Sequence, residues 1–152
     1  MTSDQIEDAY RRHASPMWRA VYATTGDREI ASDAVAEAFA QALRRGEALN
    51  DIAAWVWRVA FIIARAELAR RTPDFPDGRE PSYQMQIPIP HVFEALSRLP
   101  HNQRFAVVLH DYADRPIAEI ADVLGTAQAT VYVHLSRGRR RLRKELEARD
   151  DE

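Results

Sequence analysis

Apolar residues recur along this chain at helical spacing, and no stretch shows the strict alternation of a half-buried strand. Between Ile30 and Leu43, the residues Ala31, Ala34, Val35, Ala38, Phe39, Ala42 and Leu43 return at steps of three and one, the stripe of an amphipathic helix that Gly46 should end. Asp33, Glu37 and Gln41 recur every four residues on the other side, so this helix offers water or a partner an acidic ridge. A second helix is expected from a cap at Asn50 or Asp51 to about Arg71, uninterrupted by Gly or Pro. Its first turns are apolar nearly all round. Trp55, Trp57 and Phe61 therefore either pack in the core, the expected role of most of them, or form an exposed binding surface. An earlier helix, Gln5 to about Thr24, would add Ile6, Tyr10, Met17, Val21 and Trp18 to the same core, and Pro16 is expected to kink or divide it.

From Thr72 to Pro90 five prolines (Pro73, Pro76, Pro81, Pro88, Pro90) and Gly78 fall within 19 residues, the composition of a linker. An ordered loop held by Tyr83, Met85, Ile87 and Ile89 is the alternative. A linker leaves two halves that should be independently stable, with proteolysis cutting between Thr72 and Pro90. Beyond it, the apolar positions of Val92 to Leu99 and of Phe105 to Tyr112 give two helices, broken at Pro100. Pro116 then opens a third, with Ile117, Ile120, Ala121 and Leu124 on one face, and Gly125 allows a tight turn. In the fourth, Val131, Leu135, Gly138 and Leu142 face inward, which turns Ala129, Val133, Ser136, Arg137 and Arg140 outward. Helix, glycine turn, helix is the helix-turn-helix arrangement.

Charge changes the picture only through its placement. With 23 acids against 21 bases the 152-residue chain has a formal charge of −2, which is silent about nucleic acid. Six of the eight residues from Arg137 to Lys144 are nevertheless cationic, on the second helix of the turn motif, where clustered guanidinium groups suit phosphates. A solvated helix end is the alternative reading of that cluster alone. The candidate chemistry is otherwise empty. There is no cysteine, the five glycines are too dispersed for a nucleotide-cradling loop, and His13, His91, His101, His110 and His134 are scattered without a metal-binding spacing. No catalytic residue, metal or cofactor is expected. The longest apolar run, Ala53 to Ala64, is too short to span a bilayer and contains Arg58; the N-terminus lacks a secretory pattern. A cytoplasmic protein without membrane insertion is the expectation.

Two stretches resemble one family, the extracytoplasmic-function group of bacterial RNA polymerase sigma factors. A-S-D-A-V-A-E-A-F-A-Q-A-L-R, Ala31 to Arg44, is similar to the family's A-x-D-x-V-Q-E-x-F-x-x-A, and W-V-W-R-V-A at Trp55 to Ala60 follows as W-L-Y-R-I-A does there. The C-terminal half adds L-x-x-L-P-x-x-Q-R from Leu96 to Arg104, E-I-A-D-V-L-G from Glu119, and T-V-x-x-x-L-x-R-G-R-R-R-L from Thr130. The resemblance implies an all-α protein of two small helical domains, a polymerase- and minus-ten-binding unit over 1–71 and a helix-turn-helix minus-thirty-five unit over 91–152, joined by the linker 72–90. It implies that Asp33, Glu37, Phe39 and Gln41 dock on core RNA polymerase and that Trp55, Trp57, Arg58 and Phe61 face the minus-ten element. Tyr132, Val133, Ser136 and Arg137 would read the minus-thirty-five element of promoter DNA, with Gln128, Thr130, Arg140 and Arg141 completing the contact set. An anti-sigma factor is a further implied partner.

The chain departs from the pattern at Ala36, at Phe61 and Ile62 where Arg-Asn is usual, at Ala66, and at Tyr132 and His134. The expected function is promoter-specific transcription initiation with core polymerase. The departures keep two rivals open: a sigma-like protein impaired in promoter melting that binds a regulator, and a plain helix-turn-helix transcriptional regulator.

Overall fold

The computed structural model describes residues 3–71 and 91–150, which form seven α-helices and no strand. The expectations attached to 72–90, including Tyr83, Met85, Ile87 and Ile89, fall outside the described residues. Helix α1 (Ser3–Thr25) runs unbroken through Pro16, where the sequence suggests a kink. Met17, Ala20 and Val21, just beyond the proline, are fully buried, and their packing outweighs the roughly 3 kcal/mol that an interior proline costs a helix.

Helix α2 (Arg28–Arg45) begins two residues before its apolar stripe, because one carboxylate oxygen of Asp27 accepts from the backbone N–H groups of Glu29 (2.9 Å) and Ile30 (3.1 Å). Gly46 ends it, as its position suggests. Asp51 caps α3 (Ile52–Arg71) by accepting from the Ala54 N–H at 3.1 Å. At the far end of α3, Arg71 bridges Asp27 (3.0 Å) and Glu29 (3.2 Å), so the last residue of one helix is tied to the cap of another. Ile30, Ala34, Val56 and Ala60 close the core of this three-helix unit.

The C-terminal half holds α4 (His91–Leu96), α5 (His101–Val107), whose chain continues to Tyr112 in wider π turns, α6 (Ile117–Leu124) and α7 (Gln128–Asp150). Between α6 and α7, Gly125 sits at φ 67°, ψ 34°, a left-handed conformation that costs glycine nothing. Val131, Leu135 and Gly138 are buried along α7, and Leu142 packs on the core edge, as their spacing predicts.

The two helical units also pack against one another, their buried side chains forming one continuous apolar cluster. Phe61 of α3 and Phe105 of α5 are both fully buried with ring centroids 6.0 Å apart, edge to face. Arg104, 2% exposed, reaches from α5 to the end of α1, its Nε donating to the Thr24 carbonyl at 2.8 Å while Nη1 donates to the carbonyls of Leu99 (3.0 Å) and Ser97 (3.3 Å). Arg19 donates to the Tyr112 hydroxyl at 3.1 Å, and the Arg115 guanidinium lies 5.8 Å from the centre of the Trp57 ring.

Candidate nucleic-acid and partner interfaces

The outward side of α7 follows from its inward side. With Val131 and Leu135 buried, helical geometry turns Gln128, Tyr132, Val133, Ser136, Arg137, Arg140 and Arg141 to the surface, and all seven are exposed. Thr130 is half-buried in the first turn. The cationic run divides in two. Arg139 swings back against α5 and its continuation, holding Asp111 with both branches (Nη2 to Oδ1 at 2.6 Å, Nε to Oδ2 at 2.9 Å) and approaching His110 Nδ1 at 3.1 Å. This pairing lowers the Asp111 pKa, chiefly through the Arg139 hydrogen bonds, and raises that of Arg139. Arg139 is thus spent on structure, while Arg137, Arg140 and Arg141 lie on the open face.

On α2, Asp33 and Glu37 are exposed and Gln41 is half-buried, so the acidic ridge exists as a surface. Glu37 is the centre of a small network, accepting from Gln41 Nε2 (3.0 Å) and Arg44 Nη2 (2.9 Å). Both bonds pull its pKa below the usual carboxylate value, the Gln41 bond most. Phe39 lies inside instead: it is 5% exposed and meets the exposed Tyr10 ring edge to face at 5.1 Å. Its contribution is the floor of a groove of about 790 Å³ between α1 and α2, walled by Tyr10, Trp18, Val35 and Leu43.

The α3 residues implied to face the minus-ten element are split. Trp55 is half-buried, with the Arg45 guanidinium 5.5 Å from its ring centre, and Arg58 is half-buried too. Trp57 is 4% exposed and Phe61 fully buried; their rings stack at 6.1 Å, and the Trp57 N–H donates to His13 Nδ1 at 3.1 Å. With the two halves packed together, neither ring can touch DNA. Ile62 and Ala66, two of the departures from the family pattern, are on the exposed side of the same helix.

Comparison with known proteins decides the family. The family model for Sigma-70, region 4 matches residues 92–142. The extracytoplasmic-function RNA polymerase sigma factor SigM of Mycobacterium tuberculosis is 30% identical over 151 residues, covering 93% of this chain and 76% of that protein. The chain belongs to the extracytoplasmic-function family of RNA polymerase sigma factors. Two solved structures share the fold of this sigma factor. The sigma factor RpoE in complex with the anti-sigma factor NepR from Bartonella quintana aligns with a TM-score of 0.72 at 17% identity, over 94% of this chain and 97% of that one. CnrH in complex with the cytosolic domain of CnrY aligns with a TM-score of 0.67 at 20% identity, over 97% and 90%. As a sigma factor the chain directs transcription, and its kind are DNA-binding regulators.

Reading the sequence of this sigma factor missed the residues that hold the halves together. Arg104 ends the L-x-x-L-P-x-x-Q-R stretch, but nothing in that spacing says that its guanidinium will be buried against three carbonyls on two elements. Arg19 and Arg115 are equally hidden, since their partners across the halves, Tyr112 and Trp57, lie far off in sequence; within the C-terminal half the same holds of Arg139 and Asp111. Among the described residues no group of three or more His, Asp or Glu side chains is placed to hold a metal, and no helix is long and apolar enough to cross a membrane.

Proposed function

We propose that this sigma factor works in the cytoplasm, without catalytic residues or cofactor of its own, by docking the Asp33–Glu37–Gln41 ridge and the adjoining groove on core RNA polymerase. Residues 91–152 then present α7 to the minus-thirty-five element, and 1–71 present α3 to the minus-ten element. The observation that carries this reading is the outward face of α7, where Arg137 and Arg140 stand free on the second helix of a helix-turn-helix. Because Phe61 packs against Phe105 of α5 and Trp57 lies beneath Arg115 in the segment before α6, contact of those rings with DNA requires the halves to separate, and core polymerase would hold them apart. The test is transcription reconstituted from purified core polymerase and this chain on genomic DNA, with the transcript ends sequenced. Start sites sharing an upstream sequence support the reading. Transcripts no different from core polymerase alone overturn it.

A second reading is favoured by the burial of Phe61 and the exposure of Ile62 and Ala66. In it the closed chain engages a regulator such as an anti-sigma factor and melts no promoter. It predicts transcripts no different from those of core polymerase alone in the same reconstitution.

A further inference from the structure

Helix α7 presents two apolar side chains, Tyr132 and Val133, on the same open face as its cations Arg137 and Arg140. Tyr132 is 60% exposed and Val133 44%, and neither belongs to the hydrophobic core, whose needs on this helix are met by Val131 and Leu135. With Ser136, Arg137 and Arg140 they line a shallow depression of about 420 Å³. The apolar pair occupies the early turns, from which a recognition helix contacts base edges, and the cations follow it, so the depression matches a surface that is apolar at one point and anionic beyond. Duplex DNA has that surface. In the major groove the apolar feature of a base edge is the thymine C5-methyl group, while guanine offers paired acceptors to an arginine.

We propose that Val133, flanked by the Tyr132 ring, reads a thymine methyl and so determines specificity, next to the guanine contact of Arg137. This rests on the reading of α7 as the helix that enters promoter DNA. The spacing sets the register: Val133 and Arg137 are four residues apart, about 6 Å along the axis, and stacked bases are about 3.4 Å apart. The thymine therefore lies within two base pairs of the guanine. Tyr132 closes the depression beside Val133 and keeps water from the methyl group.

The experiment uses the full chain assembled with core polymerase. Preferred duplexes are selected from a pool randomised across the upstream promoter window, and each thymine of the preferred duplex is then replaced by deoxyuridine, which removes the C5-methyl and keeps every hydrogen-bonding group. The expected result is one sensitive thymine within two base pairs of the guanine whose preference disappears in Arg137→Ala. There deoxyuridine should weaken binding about fourfold, the worth of one buried methyl group, and Val133→Ala should bind the two duplexes equally. Val133 is exposed and outside the core, so this variant keeps its fold, which circular dichroism checks. A selected site at which deoxyuridine is tolerated everywhere, or a Val133→Ala variant that still senses the methyl, overturns the inference and leaves the DNA-reading role of α7 intact. An assembly that selects no duplex sequence overturns both together.

Discussion

Arg139 and Arg140 are neighbours in sequence, but helical geometry sends one back to Asp111 and the other out to solvent. Substituting Arg137, Arg139 and Arg140 by alanine should therefore give three different phenotypes. Arg137→Ala should lose discrimination at one base pair, about 1 to 3 kcal/mol, whereas Arg140→Ala should weaken binding to all sequences alike and lower the salt slope by about one. Arg139→Ala should leave DNA binding unchanged and cost about 1 kcal/mol of stability, the worth of an exposed but bidentate pair. Titrations of the holoenzyme against single-base duplex variants at several salt concentrations, with a denaturation curve for each protein, separate the three. Uniform weakening from Arg137→Ala would make it a phosphate anchor and leave specificity to Tyr132, Val133, Ser136 or DNA shape. Residue roles of this kind are half legible from sequence. Periodicity picks out the outward set, but the pairing of Arg139 with a residue 28 positions away depends on where α5 ends, which no local pattern encodes. Phe39 shows the same limit, since the family-like motif marks it and the structure puts it beneath Tyr10.

Whole elements were far more legible, because burial of one helix face is written directly into the sequence. The inward series Val131, Leu135, Gly138 on α7 and the stripe on α2 both hold, and the misplaced boundaries trace to caps and packing. α2 starts early because of Asp27, and α1 ignores Pro16 because Met17, Ala20 and Val21 just beyond it are fully buried. Gly138 is where packing decides most. A Cβ there would meet Val107 Cγ2 at 2.7 Å and the Gln103 carbonyl oxygen at 3.1 Å, so α5 and α7 cross closely only because this position has no side chain. Gly138→Ala should gain up to about 1 kcal/mol of helix propensity yet lose more to overpacking, for a net destabilisation of about 1 to 2 kcal/mol in denaturant unfolding. A more stable variant would mean that the crossing is loose. On α2, Glu37→Lys should weaken assembly with core polymerase about fivefold to tenfold by reversing the ridge beside Arg44, with helicity unchanged by circular dichroism. Unaltered affinity would leave the ridge merely solvated.

The arrangement of the two halves was the least legible scale. The family resemblance and the proline-rich 72–90 suggest two helical units, and the aromatic run on α3 suggests either core or binding surface. What the sequence could not say is that Trp57 and Phe61 are packed against the other half, because the contacts of Phe61 with Phe105 and of Trp57 with Arg115 span more than 40 residues. The joint core also sets a pH dependence. Burial, with Arg104 and Arg65 adding to it, pushes His101 down to about 4 from an ordinary value of 6.5. The folded chain keeps this imidazole neutral where the unfolded chain would bind a proton. Its contribution is therefore fully present above 6.5 and is lost as pH falls from 6.5 toward 4, on the order of 2 kcal/mol given its partial exposure. Denaturant midpoints measured across that window should fall with acid, and His101→Phe, which keeps a ring against Phe105, should flatten the fall. An identical pH dependence in the variant would place the titrating group elsewhere.

The claim that initiation requires the halves to part is open to one direct measurement, helped by a chain without cysteine. Arg19→Cys and Tyr112→Cys replace two side chains that touch across the halves at 3.1 Å, and a short bifunctional thiol reagent with a cleavable disulfide arm can join them. Transcription with core polymerase would be followed before linking, after linking and after reduction. The linked chain should give no promoter-specific transcript, and reduction should restore it to the level of the unlinked double variant. Full promoter-specific initiation by the linked chain would contradict the account, because Trp57 and Phe61 would then be inaccessible to DNA throughout.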